Sequence, residues 1–141
     1  FEELKEAIRP GSNVYTGHYE YDIKNENEST HLFDDTEFVL EQLSKRYDLY
    51  LISNIATPYK ECFYNLGLDK WIKDPIFSCD VGFSKPDPQI YDIVIKKSGL
   101  KPNQLIMIGD SVKADYEGAL NCGIKAILKD KPLKLILPDL I

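Results

Sequence analysis

Two carboxylates five residues apart, Asp110 and Asp115, follow the apolar run Leu105-Ile106-Met107-Ile108 and a glycine, Gly109. Glycine lets a chain turn tightly out of a strand. Asp110 is then expected at the strand's end, and Asp115 in the first turn of the helix that follows. Two carboxylates so placed offer the hard oxygen ligands that suit Mg²⁺. A second stretch, Leu51-Ile52-Ser53-Asn54, sets a hydroxyl and an amide at the exit of another apolar segment. Such a hydroxyl, with nearby backbone N–H groups, can hold a phosphate oxygen. The Asn54 amide can hydrogen-bond a nucleophile or a substrate. The third stretch is Ser84-Lys85-Pro86-Asp87-Pro88. Its prolines fix the backbone around one lysine, so the Lys85 ammonium is aimed and can offset charge between a carboxylate and a phosphoryl group. Singly, each stretch also has a plainer reading: a turn acid with a helix-start acid, an ordinary strand exit, a solvated loop lysine.

The elements that must position these residues follow from periodicity. Asp34 and Glu37 are spaced as a capping box, and Val39, Leu40, Leu43 and Tyr47 then recur at helical spacing. A strand is predicted within 48–53. Thr57-Pro58 opens a helix, with proline in its first turn, and Gly67 ends it. Residues 76–78 read as a strand. Pro88 to Lys97 reads as a helix with Ile90, Tyr91 and Val94 inward, ended by Gly99. Residues 105–108 form a strand, 112–121 a helix ended near Gly123, and 124–128 the last strand. Residues 129–134 read as a solvated basic loop. Short apolar strands alternating with helices imply an α/β fold, a Rossmann-like parallel sheet with helices on both faces. Ligands of such sheets bind beyond the carboxyl ends of the strands, where Ser53, Asn54, Lys85, Asp110 and Asp115 all fall. Residues 1–31 differ from 32–141. They are polar and irregular, with a helix expected at 1–9, β character at 14–23 and a polar loop at 25–30.

Composition limits the classes of function. The chain has 141 residues, with 17 Lys+Arg against 23 Asp+Glu, for a formal net charge of −6. A general nucleic-acid binder needs a basic face, so no nucleic-acid partner is expected. The longest aliphatic run is Leu105–Ile108, far below the ~20 residues of a membrane span. Cys62, Cys79 and Cys122 lack metal-type spacing. Free thiols in a reducing, cytoplasmic setting are expected.

Taken together and in this order, the stretches resemble the haloacid dehalogenase-like superfamily, whose members are mostly phosphatases. Ser53-Asn54 looks like its second motif, Lys85 to Tyr91 like its third, and Gly109-Asp110-Ser111 through Asp115 like its fourth. The continuation Glu117 to Ile124 matches further glycine positions. The resemblance covers roughly residues 33–139. It implies a Mg²⁺-dependent phosphatase acting on a small phosphorylated metabolite through an aspartyl-phosphate. Asp110 and Asp115 would serve the metal, Ser53 and Lys85 the phosphoryl group, and Asn54 the substrate or nucleophile.

The family's first motif, Asp-x-Asp-x-Thr/Val, supplies the nucleophile and the acid/base, and it is not found here. Asp22-Ile23-Lys24-Asn25-Glu26 is the nearest candidate, but Lys24 stands in the acid/base position and the preceding His18-Tyr19-Glu20-Tyr21 is too polar for a buried strand. The strand bearing that motif is central in the family. Its absence predicts a gap between the strands of the second and fourth motifs, filled by 14–23 in degenerate form or by a segment from upstream or from a second polypeptide. Residues 1–31 then read as the remnant of a cap and 32–141 as the core. The alternative is a non-catalytic phosphate- or partner-binding module without the nucleophile.

Overall fold

The computed structural model describes residue 24 and residues 26–140. The expected helix at 1–9, the β-like stretch 14–23, Asp22 and His18 lie outside them. The described part begins with helical residues at 26–29, where a polar loop was expected. Thr30 closes that turn by donating its N–H to the Glu26 carbonyl at 3.0 Å. Asn27 is buried and donates to the Pro58 carbonyl at 3.0 Å.

Helix α1 is Thr36–Ser44, with Val39 and Leu43 buried. The expected capping box is absent: Asp35 holds the N-cap position with no side-chain cap bond. The Asp35 carboxylate instead accepts the Lys134 backbone N–H at 2.8 Å, at a helix far along the chain. Strand β1 is only Ile52–Ser53, shorter than expected. A 3-10 turn, Thr57–Tyr59, with proline in its first turn, leads into α2, Glu61–Asn65. Strand β2 is Ile76–Phe77, and Ser78 starts a one-turn helix, α3, Ser78–Val81, in place of ending the strand. Helix α4 is Pro88–Ser98. Asp87 caps it by accepting the Gln89 N–H at 2.9 Å, and Gly99 ends it at φ 67°, a left-handed conformation that suits glycine. Strand β3 is Ile106–Gly109, followed by a π-helical segment, Val112–Glu117, and α5, Gly118–Asn121. Strand β4 is Lys125–Leu128. The basic stretch after it enters helix α6, Leu133–Ile136, whose Ile136 is buried. There the apolar spacing of Leu133, Ile136, Leu137 and Leu140 overrides the lysines.

The strands pair in parallel as two separate two-stranded sheets, β1 with β2 and β3 with β4. Alternate residues face opposite layers, as the pleat requires. Ile52, Ile76, Met107 and Ala126 pack with Ile90, Tyr91 and Val94 of α4 on one face. Ile108 and Ile127 pack with Val39, Leu43 and Ile136 on the other, and Leu51 and Phe77 pack there with Phe63. Both faces therefore carry helices, as an all-parallel sheet needs.

No pairing joins the two sheets among the described residues. Between them lies a cleft of about 660 Å³, walled by Leu51, Ile52, Ile106 and Ile108 among others. In a parallel ladder, successive residues address opposite neighbours. The Leu51 carbonyl accepts from Ile76, and the carbonyls of Leu105 and Gly109 accept from Lys125 and Lys129. The backbone groups of Ile52, Ile106 and Ile108 therefore face away from β2 and β4, into the cleft.

Candidate active site

Three loops meet at the carboxyl edge. The first leaves β1 at Ser53 and continues through Asn54 and Ile55. The Ile55 N–H donates to Ser78 Oγ at 2.9 Å, and that hydroxyl donates back to the Ile55 carbonyl at 3.2 Å. One side chain thus holds both backbone groups of one residue. Asn54 does the same to the second loop: Nδ2 donates to the Lys85 carbonyl at 2.9 Å, and the Lys85 N–H donates to Oδ1 at 2.7 Å. The Lys85–Pro86 peptide is cis.

The third loop follows β3. Ser111 caps the π-helical segment, its Oγ accepting the Ala114 N–H at 3.0 Å. Backbone N–H groups of Asp115 and Tyr116 both donate to the Ser111 carbonyl, at 3.0 and 3.1 Å, the wider ring marking the π turn. Asp115 is thereby brought inward. Lys85 Nζ meets Asp115 Oδ1 at 2.6 Å, with 11% and 7% of the two side chains exposed. The other oxygen, Oδ2, accepts the Ser111 N–H at 3.1 Å. Gly109 makes this approach feasible, since a Cβ there would overlap the Asp115 carboxylate. Behind the pair, Tyr91 donates its hydroxyl to the Ala114 carbonyl. Burial, and then the Asp115 charge, push the Tyr91 phenol up to about 12. Gly118 leaves room for that hydroxyl, because a Cβ at 118 would stand 2.8 Å from it.

Apart from Ser53, which ends β1 half-buried, the sequence-derived residues separate into two groups. Asn54, Lys85 and Asp115 form one connected cluster. Asp110 is exposed at the end of β3 and lines an open cavity of about 710 Å³ with Phe33, Asp34 and Lys129. Both expectations for Asp115 and Asn54 change in detail. Asp115 engages Lys85 and Ser111 with its two oxygens, and Asn54 turns its amide to the Lys85 main chain. Asp110 is the carboxylate of the two left facing solvent, an oxygen donor of the type that hard cations such as Mg²⁺ take. No group of three or more His, Cys, Asp or Glu that could hold a metal gathers among the described residues. Sequence reasoning missed Ser78 and Ser111. A serine immediately before a helix is the signal for the second, whereas nothing local marks Ser78. The three cysteines are free thiols. Burial pushes Cys62 and Cys122 upward. No helix among the described residues is long and apolar enough to cross a membrane.

An α/β core with serine, lysine and acid at the strand ends is the arrangement of a hydrolase of the haloacid dehalogenase type. Residues 2–123 match the family model of the haloacid dehalogenase-like hydrolases, and the chain belongs to that family. It is 33% identical over 99 residues to the glyceraldehyde 3-phosphate phosphatase of Methanothermobacter thermautotrophicus, covering 70% of this chain and 44% of that one. It is 28% identical over 105 residues to the phosphoserine phosphatase of Thermus thermophilus, covering 73% and 42%. Among solved structures it is similar to the HAD-hydrolase YfnB of Bacillus subtilis bound to magnesium, with a TM-score of 0.73 and 25% identity, over 92% of this chain and 58% of that one. The chain thus spans less than half of the length of the two curated relatives.

Proposed function

We propose that the chain carries the second, third and fourth motifs of a Mg²⁺-dependent phosphatase acting on a small phosphorylated metabolite. The attacking aspartate would lie on a strand upstream of residue 1. The cleft between the two sheets carries this reading. Strands lie roughly 4.8 Å apart within a sheet, so a segment paired to both β1 and β3 would occupy the cleft between them. Its backbone walls, at Ile52, Ile106 and Ile108, offer hydrogen bonds to both sides of such a strand. A strand parallel to β1 and β3 would end at the carboxyl edge, beside Ser53, Lys85 and Asp110. A second polypeptide could deliver the same segment. Residues 1–31 fit as the end of a cap.

In this mechanism a carboxylate oxygen from that strand attacks phosphorus, the P–O bond to the substrate breaks, and the leaving oxygen takes a proton from the acid/base carboxyl of the same upstream motif. Water then attacks the phosphorus of the acyl phosphate and frees inorganic phosphate and the carboxylate. Ser53 holds a phosphoryl oxygen, and Lys85 offsets the charge that builds between carboxylate and phosphoryl group. Asp110 would hold Mg²⁺, which neutralises phosphoryl charge when bound.

The test uses the full-length protein with p-nitrophenyl phosphate. Hydrolysis that requires Mg²⁺ and falls by at least 100-fold in Asp110→Asn supports the proposal. Full-length protein that binds inorganic phosphate but does not hydrolyse any of a panel of phosphate esters would overturn it in favour of a binding module.

A further inference from the structure

The Asn54 amide meets the main chain of Lys85 as a neighbouring strand would, with one bond given and one received, at 2.9 and 2.7 Å across 31 residues of sequence. The far end of the same lysine is held by Asp115 at 2.6 Å, and Asp115 is held in turn by the Ser111 N–H at 3.1 Å. Lysine carries its charge on a flexible four-carbon stem with many rotamers. Fixing the backbone at one end and the ammonium at the other removes most of that freedom before any ligand arrives, which is the condition for an electrostatic catalyst to act without reorganising. The loop between is tied as well, since the Asp87 N–H donates to the Ser84 carbonyl at 2.8 Å.

We propose that Asn54 is a positioning residue that acts through Lys85. It fixes where the Lys85 ammonium stands, and its effect on turnover passes through that lysine. Only an amide serves: a carboxylate at 54 can accept from the Lys85 N–H but cannot donate to the Lys85 carbonyl. Serine is too short to span both groups. The proposal deepens the phosphatase reading, on which its kinetic arm rests.

The experiment compares Asn54→Ala, Asn54→Asp, Lys85→Ala and the Asn54→Ala/Lys85→Ala pair in the full-length protein. Amide hydrogen exchange is read first, because it needs no activity. The Lys85 amide should exchange at least tenfold faster in Asn54→Ala, with less change in Asn54→Asp, while the Ile90 and Val94 amides stay as in wild type. With p-nitrophenyl phosphate, Asn54→Ala should lower kcat tenfold or more with KM within threefold. In the Lys85→Ala background the same change should cost less than twofold, as expected for residues acting as one unit. Equal losses in both backgrounds would show that Asn54 touches substrate or nucleophile directly, and would overturn the proposal. Should Lys85→Ala be too slow to assay, acetylation of Lys85 relative to Lys129 decides: a rise of threefold or more in Asn54→Ala is expected, and no rise overturns it. Unchanged Lys85 exchange also overturns it. Absence of wild-type hydrolysis would remove the phosphatase reading and leave the exchange and acetylation arms to judge the latch.

Discussion

The polar cluster at the carboxyl edge and the apolar cleft between the sheets lie side by side and are built in opposite ways. In the cluster, Asn54, Lys85, Asp115 and Ser111 meet one another within 3.1 Å. In the cleft, β1 and β3 turn backbone edges toward each other with no strand between them among the described residues. Charges are costly to bury unpaired, so the cluster has to be complete within its own loops. Apolar walls impose no such demand on partner identity, and any strand of suitable length and apolar character can complete them.

This contrast can be broken first at its strongest point. Lys85→Met leaves the Asp115 carboxylate buried beside an apolar group and should cost about 3–5 kcal/mol in urea unfolding of the full-length protein. Adding Asp115→Leu should restore most of the loss. A cost below about 1 kcal/mol would mean that water reaches the pair and that the cluster is not closed.

The cleft is sharpened by Ile106, which is 43% exposed in the described chain. With a strand in the cleft, Ile106→Ala should behave as a core truncation and cost about 2–4 kcal/mol in the full-length protein. An open cleft predicts a surface value, within about 0.5 kcal/mol.

Next in size is the phenol behind the pair. Tyr91 has its pKa raised to about 12 by burial and by the Asp115 charge. The raised value means that the folded state keeps a proton that the unfolded state releases from about pH 10. The stabilisation is therefore whole below pH 10 and is lost as pH rises toward 12, by roughly 2–3 kcal/mol. Tyr91→Phe should remove that decline from a series of unfolding curves. Gly109→Ala should cost about 1–3 kcal/mol as an overpacked site, and Asp115→Ala should not relieve it, because the Asp115 Cβ itself would stand 2.5 Å from the added methyl. The smallest effect belongs to exposed pairs: Lys96→Ala, which breaks a 3.0 Å contact with Asp92 one helical turn away, should shift stability by less than about 0.5 kcal/mol.

Much of this was legible in the residues. Helix α4 followed from Pro88 at one end, Gly99 at the other, and Ile90, Tyr91 and Val94 between, because each signal is local. The strands were harder. Residues 49–51 are as apolar as Ile52, yet pairing begins only where β2 runs alongside, and that is a tertiary fact. The same limit explains the start of α1: the Asp34–Glu37 spacing suited a capping box, but Asp35 takes the N-cap position and its carboxylate serves Lys134. Site residues were found by type and place at strand ends. Their partners were not: an amide after a strand looks equally suited to a substrate and to a main chain 31 residues away.

The π winding of Val112–Glu117 has one last implication, for chain length. An α-helix advances about 100° per residue, so a segment that must satisfy two directions at once has a fixed residue count. Asp115 has to face Lys85 while Gly118, three positions on, has to face Tyr91 and Pro86. The widened turn reconciles the two headings. Deleting the exposed residue between them, Glu117, would swing one heading away by about a quarter turn. The segment works as a phase adjuster between two fixed bearings, and it tolerates changes of side chain far better than changes of length.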